Sequence, residues 1–335
     1  MKRVAINGLG RIGRLLIRAC LEQPQPPFEI VAANDLAAFD QLAYLMKYDS
    51  VHGRCRHEIT LDGNQLNIGS MKIQLFSEKD PTKLPWQALG VDLVLECTGA
   101  FTDKAGALLH TQAGAKKVLI SAPASDADIT IVMGVNDQDY DANTHQVISN
   151  ASCTTNSLAP PLKVLLDNFG VQQALITTVH AYTISQSLVD KPSKKKIRGR
   201  AGAFNIIPTG TGADKATVIV LPQLEGKLAA TALRVPVPDG AITDISVTLE
   251  KNATAEEINE AFRQAAMGPM KGILDYTDEE IVSSDILGDS HSAIVHGLTT
   301  RVVNGNTVKL HVWYDNEYGY ASRLMDAAAH IVNAG

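Results

Sequence analysis

The chain has 335 residues, 45% hydrophobic and 20% charged, enough for two domains and a sizeable core in a soluble globular protein. Its net charge of −6, with no global basic excess, argues against nucleic acid as the main partner. Cys20, Cys55, Cys97 and Cys153 lack CxxC spacing, which argues against a metal site and a disulfide framework. No signal-peptide pattern precedes Arg3 and no apolar run reaches membrane-spanning length, so the expected setting is a reducing cytoplasm, away from membranes.

Arg3 to Asn7 reads as a short apolar strand, followed at once by Gly8-Leu9-Gly10-Arg11-Ile12-Gly13. An amphipathic helix continues through Leu15, Leu16, Ile17, Ala19 and Leu21. In this strand-to-helix context the first glycine permits a tight turn and the second lets backbone approach a pyrophosphate. The third lets helix and strand pack closely. A second strand, Glu29 to Ala33, runs into Asn34-Asp35, about twenty residues past the last glycine. An acid there accepts from a ribose 2′-hydroxyl and repels a 2′-phosphate, since like charges ~4 Å apart cost roughly 1–4 kcal/mol. NAD is therefore favoured over NADP.

Further strands are expected over 91–97, 117–121, 129–132 and 147–149, with a helix over 104–112. Near-continuous apolar strands alternating with helices indicate a doubly wound parallel sheet covered on both faces. Ligands bind such a sheet at the carboxyl ends of its strands, which makes Thr98-Gly99 and Ser121-Ala122-Pro123 candidate cofactor contacts. Residues 52–76 alternate around Asp62-Gly63 and read as an inserted antiparallel hairpin.

Asn150-Ala151-Ser152-Cys153-Thr154-Thr155-Asn156 places one thiol among hydroxylated residues, directly before a helical pattern through Leu158, Leu162, Leu165 and Leu166. With Ser152 or Cys153 at the N-cap, the helix N-terminus favours thiolate over thiol. A fall from about 8.5 to about 6 would raise the reactive fraction from a few per cent to roughly nine-tenths at neutral pH. A free cysteine is equally at home as a small buried apolar residue. The helix over 154–168 runs ~22 Å away from the thiol, and a strand over 173–180 climbs back ~26 Å to His180. A Cys–His pair of this kind is an activated nucleophile with its base, although a histidine at a strand end also serves structure.

From Ser185 to Gly212 no periodicity holds, and Lys191, Lys194, Lys195, Lys196, Arg198 and Arg200 crowd together. Such a run is commonly a solvated face, but so long a loop in a compact domain is usually functional. Pro208-Thr209-Gly210-Thr211-Gly212 offers hydroxyls and backbone N–H groups to an anion, and Arg234, in a strand over 232–235, is a further cation. Strands over 242–249 and 302–314, a helix over 255–266 and a last helix over about 318–332 complete an α+β domain with a mixed or antiparallel sheet.

With these residues in order, the chain resembles the glyceraldehyde-3-phosphate dehydrogenases over nearly its whole length. The markers are the stretch from Ile6 to Arg14, Ala151 to Asn156, His180-Ala181-Tyr182-Thr183, Arg198 to Ala201, Asn205 to Thr209, Arg234-Val235-Pro236 and Trp313 to Tyr320. The resemblance implies an NAD-binding Rossmann domain over 1–151 and a catalytic domain over 152–316, with a C-terminal helix over 317–335 packing back on the first. It implies phosphorylating oxidation of an aldehyde: Cys153 forms a hemithioacetal with His180 as base, hydride passes to NAD, and inorganic phosphate cleaves the thioester. Ser152, Thr154, Thr211 and Gly212 match the attacking-phosphate site, Thr183 and Arg234 the substrate-phosphate site, and Arg198 lies between them. Gly8, Gly10, Arg11, Ile12, Gly13, Asp35, Lys79, Thr98, Ser121, Asn316 and Tyr320 match cofactor positions, with Asn316 orienting the nicotinamide carboxamide. A homotetramer that buries the basic loop between subunits is also implied.

Leu9, Ser157 and Gly210 depart from the residues common in the family, and the triple lysine 194–196 beside Lys191 leaves room for NADP. Related erythrose-4-phosphate dehydrogenases share the Cys153 motif but differ in the histidine segment and basic loop. A non-catalytic nucleotide- or RNA-binding regulator would lack key residues, and none is missing. A cysteine hydrolase would have no use for the dinucleotide motif.

Overall fold

In the computed structural model, residues 1–334 are described, and they fall into two compact units. The first comprises residues 1–131, 137–152 and the chain from Leu324 on; the second comprises 132–136 and Cys153–Arg323.

The first unit opens with β1 (Arg3–Asn7), α1 (Arg11–Leu21), β2 (Glu29–Asn34) and α2 (Phe39–Lys47). It continues through β3 (Ile59–Asp62), β4 (Gln65–Ile68), β5 (Met71–Phe76), β6 (Leu93–Glu96), α3 (Lys104–Gln112), β7 (Lys117–Ile120), β8 (Ile129–Thr130) and β9 (Val147–Ser149). These nine strands form one sheet in the order β3-β4-β5-β2-β1-β6-β7-β9-β8. From β5 to β8 every neighbour is parallel. The inner strands β1 and β6 are buried nearly end to end, which is why their sequences are continuous apolar runs rather than alternating ones. The chain winds one way from β1 to β2 and the other way through β6 to β7, so the strand order reverses between β1 and β6. Ligands enter such sheets at that reversal.

The expected hairpin over 52–76 is shorter and more elaborate than the sequence suggests. β3 and β4 close one hairpin around Gly63 at φ +58°, β4 and β5 a second around Gly69 at φ +56°, and residues 52–58 lie outside any strand. β5 pairs antiparallel with β4 but parallel with β2, so the excursion is stitched into the main sheet. Within this unit the end of the chain is held where His330 Nε2 lies 2.9 Å from the Asp137 carbonyl and its ring packs on Tyr140 at 5.7 Å.

The second unit contains α4 (Cys153–Phe169), β10 (Val171–Ala181), β11 (Ile207–Gly210), α5 (Ala213–Val220), β12 (Leu228–Val235) and β13 (Ala241–Leu249). Then follow α6 (Ala255–Met267), β14 (Leu274–Thr277), β15 (Ala293–His296), β16 (Arg301–Val303), β17 (Thr307–Tyr314) and the start of α7 (Tyr318–Asn333). Its sheet runs β11-β12-β10-β13-β17-β15-β14, with β16 paired to β17. The sheet is mixed, because β12 lies parallel to β10 and β14 parallel to β15. β13 alternates buried and half-buried residues along its length, the signature of a sheet covered on one face, and α4 packs on that sheet together with α5 and α6. Thr254 and Glu257 close a reciprocal cap at the start of α6. The sequence reading does not anticipate α5, β14 or β15. Among the described residues, no helix is long and apolar enough to cross a membrane.

Candidate active site

In the first unit the three motif glycines fill the turn between β1 and α1, each for a different reason. Gly8 has φ +99°, and a Cβ there would lie 2.7 Å from the Thr98 nitrogen. A Cβ on Gly13 would lie 2.2 Å from the Gly8 carbonyl oxygen, so helix–strand packing requires glycine. Gly10 meets nothing within 4 Å, so no protein neighbour demands it; what it leaves is open backbone beside the first turn of α1. N–H groups of that turn, Arg11, Ile12 and Gly13 among them, have no intrahelical acceptor and favour an anion.

Asp35 is fastened beside this turn: Leu9 N–H donates to Oδ2 at 2.8 Å and Ala37 N–H to Oδ1 at 2.9 Å. The Arg11 guanidinium is turned aside into an ion pair with Asp49. Burial opposes ionisation of Asp49, but hydrogen bonds from Arg11 and from the His52 and Val51 N–H groups outweigh it and hold the carboxyl down at about 2. Any contact from Arg11 to a phosphate would therefore come through its backbone. Thr98 follows β6, Ser121 follows β7, and exposed Lys79 lies just beyond β5, all at carboxyl ends of strands. The open Gly10 backbone, the α1 N-terminus and the poised Asp35 carboxylate fit a dinucleotide.

In the second unit, strand register assembles the reactive centre. Arg234 on β12 stands opposite His180 on β10, His180 opposite Ala241 on β13, and Ala241 opposite Tyr314 on β17. Cys153 opens α4, and its Sγ lies 3.4 Å from His180 Nε2. The chain reaches α4 through Ala151, a fully buried non-glycine residue at φ +53°, a strained left-handed conformation of the kind that collects at functional sites. Thr154 Oγ1 lies 4.0 Å from the sulfur and 3.1 Å from the Tyr314 hydroxyl.

Burial works against the thiolate that the helix N-terminus favours. Desolvation pushes the Cys153 thiol up and outweighs the nearby Arg234 guanidinium and the Thr154 hydroxyl and N–H, which act the other way. Burial, then Arg234 and Arg198, pull His180 down to about 3. Both shifts favour the uncharged forms of the pair. The other ring nitrogen, Nδ1, is 2.7 Å from the Ala181 carbonyl and 2.7 Å from Arg234 Nη1. It can donate to the first or accept from the second, but not both. Donation to Ala181 leaves a lone pair on Nε2 facing the thiol, which is the arrangement a base requires. Arg234 Nη1 also donates to the Ala181 carbonyl at 2.8 Å, so it keeps an acceptor in that arrangement.

Models of two domains match the chain: glyceraldehyde 3-phosphate dehydrogenase, NAD binding domain, over residues 2–104, and glyceraldehyde 3-phosphate dehydrogenase, C-terminal domain, over residues 152–316. The chain belongs to the glyceraldehyde-3-phosphate dehydrogenase family. Among its relatives, glyceraldehyde-3-phosphate dehydrogenase 1 of Bacillus subtilis (strain 168) is 51% identical over 333 residues, covering 99% of both chains. Glyceraldehyde-3-phosphate dehydrogenase of Geobacillus stearothermophilus is also 51% identical over 333 residues, with 99% of both chains covered. The Streptomyces coelicolor enzyme of the same name is 53% identical over 332 residues, covering 99% of this chain and 98% of its own.

The remaining positions matched to this family lie in the second unit, except Ser152, which ends the segment 137–152 of the first. Arg198 Nε donates to Thr209 Oγ1 at 3.2 Å and its Nη1 to Ser185 Oγ at 3.3 Å, while Ser185 Oγ lies 2.8 Å from Thr183 Oγ1. Arg198 is near enough to lower the pKa of both His180 and Arg234, so two cations serve one centre. Thr211 and Gly212 immediately precede α5, where Thr211 Oγ1 accepts the Ala213 N–H. The sequence reading sees an anion-suited loop there but not the helix behind it. Ser152 stays half-buried ahead of the thiol, whereas Thr154 is buried against Tyr314. Asn316 is buried and its Oδ1 has no hydrogen-bond partner among the described residues, an acceptor that a primary carboxamide N–H would satisfy. Tyr320 is buried within α7. Thr209 falls in the anion-suited loop read from sequence, whereas Tyr314 and Ser185 escape that reading because only strand pairing and loop closure bring them to the site.

Proposed function

We propose that the chain oxidises D-glyceraldehyde 3-phosphate to 1,3-bisphosphoglycerate, with NAD as hydride acceptor and inorganic phosphate as co-substrate. The observation that carries this reading is the 3.4 Å approach of Cys153 Sγ to His180 Nε2 beside two arginines, in a chain whose other unit presents a dinucleotide turn. Bound NAD supplies the hydride acceptor.

The residues of the chain supply the rest. Arg234 and Thr183 hold the substrate phosphate and set the aldehyde carbon beside the sulfur. Cys153 adds to that carbon, and its proton is taken by His180 Nε2 while Nδ1–H donates to the Ala181 carbonyl. Once substrate phosphate occupies the Arg234 guanidinium, Nδ1 no longer has a competing donor. The proton returns from Nε2 to the new alkoxide, which completes the hemithioacetal, and as hydride leaves its carbon the hydroxyl proton passes back to Nε2. Phosphate held by Ser152, Thr154, Arg198, Thr211 and Gly212 then attacks the Cys153 thioester and releases the acyl phosphate.

Asp35 supports NAD over NADP, because its fixed carboxylate repels a 2′-phosphate. The exposed Lys191 and Lys194–Lys196 are the cations that would soften this preference. Residues 1–151 are read as the cofactor domain and 152–316 as the catalytic domain, with the helix over 317–335 packing on the former. A homotetramer is supported by the exposure of Ile184 (96%), Leu188 (83%), Val189 (71%) and Phe204 (85%), far more apolar surface than one loop keeps in water. A cytoplasmic location agrees with four free cysteines. The reading is tested by initial rates of NADH and NADPH formation with glyceraldehyde 3-phosphate and erythrose 4-phosphate, each with and without phosphate. Phosphate-dependent NADH formation with the triose is expected; a rate indifferent to phosphate refutes the proposal.

A further inference from the structure

A chain of buried polar side chains lies beneath the strand-order reversal of the first unit. Asn7 at the end of β1, Asn34 at the end of β2, Glu96 at the end of β6 and His110 on α3 are each 5% exposed or less. Their hydrogen bonds can be directed from the ends inward. The Trp86 indole can only donate, and it lies 3.0 Å from His110 Nδ1, so that nitrogen accepts and Nε2 carries the proton. His110 Nε2 therefore donates to Glu96 Oε2 at 3.1 Å. Asn7 Nδ2 donates to the same oxygen at 2.6 Å. Asn34 Nδ2 donates to Asn7 Oδ1 at 2.8 Å and to the Glu78 carbonyl at 2.9 Å, while the Glu78 N–H donates to Asn34 Oδ1 at 2.8 Å.

The other carboxylate oxygen faces outward, toward the ligand side of the sheet. Glu96 Oε1 takes the Thr98 N–H at 2.7 Å and a short hydrogen bond from the Thr98 hydroxyl. Thr98 Oγ1 in turn accepts the Ala100 N–H at 3.0 Å, across Gly99 at φ +71°. The Thr98 hydroxyl thereby spends its proton on Glu96 and one lone pair on Ala100. The network starts at the Trp86 indole and ends at two places, the Thr98–Gly99 turn and the Glu78 backbone beside Lys79. Both lie at carboxyl ends of parallel strands, β6 and β5, on opposite sides of the reversal where a dinucleotide enters. A buried acid needed only for folding would have no reason to spend one oxygen on an exposed-side loop.

We propose that Glu96 is a positioning residue for the dinucleotide, its buried carboxylate holding the Thr98–Gly99 turn against the ends of β1 and β2. The inference rests on reading the first unit as the cofactor site. Each of these hydrogen-bond partners of the carboxylate is a donor, so Glu96→Gln sets an amide NH2 against Asn7 and His110 if it keeps Thr98, or against Thr98 if it keeps them. Trp86 blocks the tautomer switch of His110 that would relieve the first conflict.

The test is NAD affinity by calorimetric titration of the wild-type chain, Glu96→Gln, Thr98→Val and the double variant. It is paired with melting temperature and with iodoacetamide labelling of Cys153 in cofactor-free protein. Glu96→Gln should weaken NAD about tenfold or more, the scale of a lost hydrogen bond to a charged group. Thr98→Val should weaken it too, and the double variant should be no worse than the weaker single one, because both act through one turn. Cys153 labelling should be unchanged throughout. A folded Glu96→Gln protein with wild-type NAD affinity overturns the proposal, as do effects of the two variants that multiply. Should Glu96→Gln not fold, Thr98→Val decides alone: weakened NAD binding at an unchanged melting temperature supports the role, and unchanged affinity overturns it. A wild-type chain that does not bind NAD refutes instead the cofactor reading on which the inference stands.

Discussion

Replacing His180 by Asn removes the ring nitrogen 3.4 Å from the Cys153 sulfur while keeping a side-chain amide near the Ala181 carbonyl and Arg234. General-base assistance contributes about 10²–10⁴-fold, or roughly 3–5 kcal/mol of barrier. The site argues for the lower half of that range. Burial and two arginines pull the imidazole down to about 3, so it is a weak base facing a thiol that desolvation has pushed up. A loss of about 10²–10³-fold in the rate of the pre-steady-state NADH burst is therefore expected at pH 7–8. The loss should shrink as pH rises and hydroxide takes over removal of the thiol proton. Stopped-flow absorbance with saturating aldehyde and NAD measures it directly. A burst slowed less than about tenfold would refute the assignment of His180 as the base.

The same histidine makes the fold acid-sensitive. Its folded pKa of about 3 lies below the ordinary value of about 6.5, so as pH falls the unfolded chain takes up the proton first. The resulting loss begins below about pH 6.5 and is complete below about 3, where it amounts to roughly 4–5 kcal/mol. Urea midpoints at pH 4.5 and 7.5 should therefore differ less for His180→Asn than for the wild-type chain; an equal difference contradicts the buried neutral imidazole. Arg234→Leu should raise KM for the phosphorylated aldehyde about tenfold or more without raising KM for NAD, since a charged hydrogen-bonding partner of the phosphate is lost. It should also move the onset of Cys153 alkylation to higher pH, because the guanidinium favours the thiolate; an onset at lower pH would reverse that assignment. Asp35→Ala should weaken NAD and narrow the gap to NADP, as both the ribose acceptor and the tether to Leu9 disappear. Unchanged discrimination in coupled initial-rate assays would place cofactor choice elsewhere.

What the sequence reveals about this site follows from locality. The glycine turn is legible because strand, turn and helix adjoin in the chain, and three different steric demands fall on three nearby residues. The meeting of Cys153 and His180 is legible because one helix and one strand of comparable length connect them. The row Arg234, His180, Ala241, Tyr314 is not, since it depends on the register of four strands whose pairing crosses long stretches of chain. The thiol pKa goes astray for a related reason. A helix N-terminus can be read from sequence, whereas the desolvation that opposes it belongs to the packed centre. Glu96, His110 and Trp86 sit on separate elements and make sense only once folded together.

The central claim is that Cys153 carries the acyl group until phosphate removes it. Enzyme mixed with glyceraldehyde 3-phosphate and NAD in phosphate-free buffer, quenched in acid within the first turnover and analysed by intact mass, should show an adduct of the thioester mass. That adduct should map to Cys153 and equal the NADH formed. Addition of phosphate should discharge it as an acyl phosphate and restart turnover. NADH formed without any adduct on Cys153, or steady turnover at the same rate without phosphate, would contradict the account.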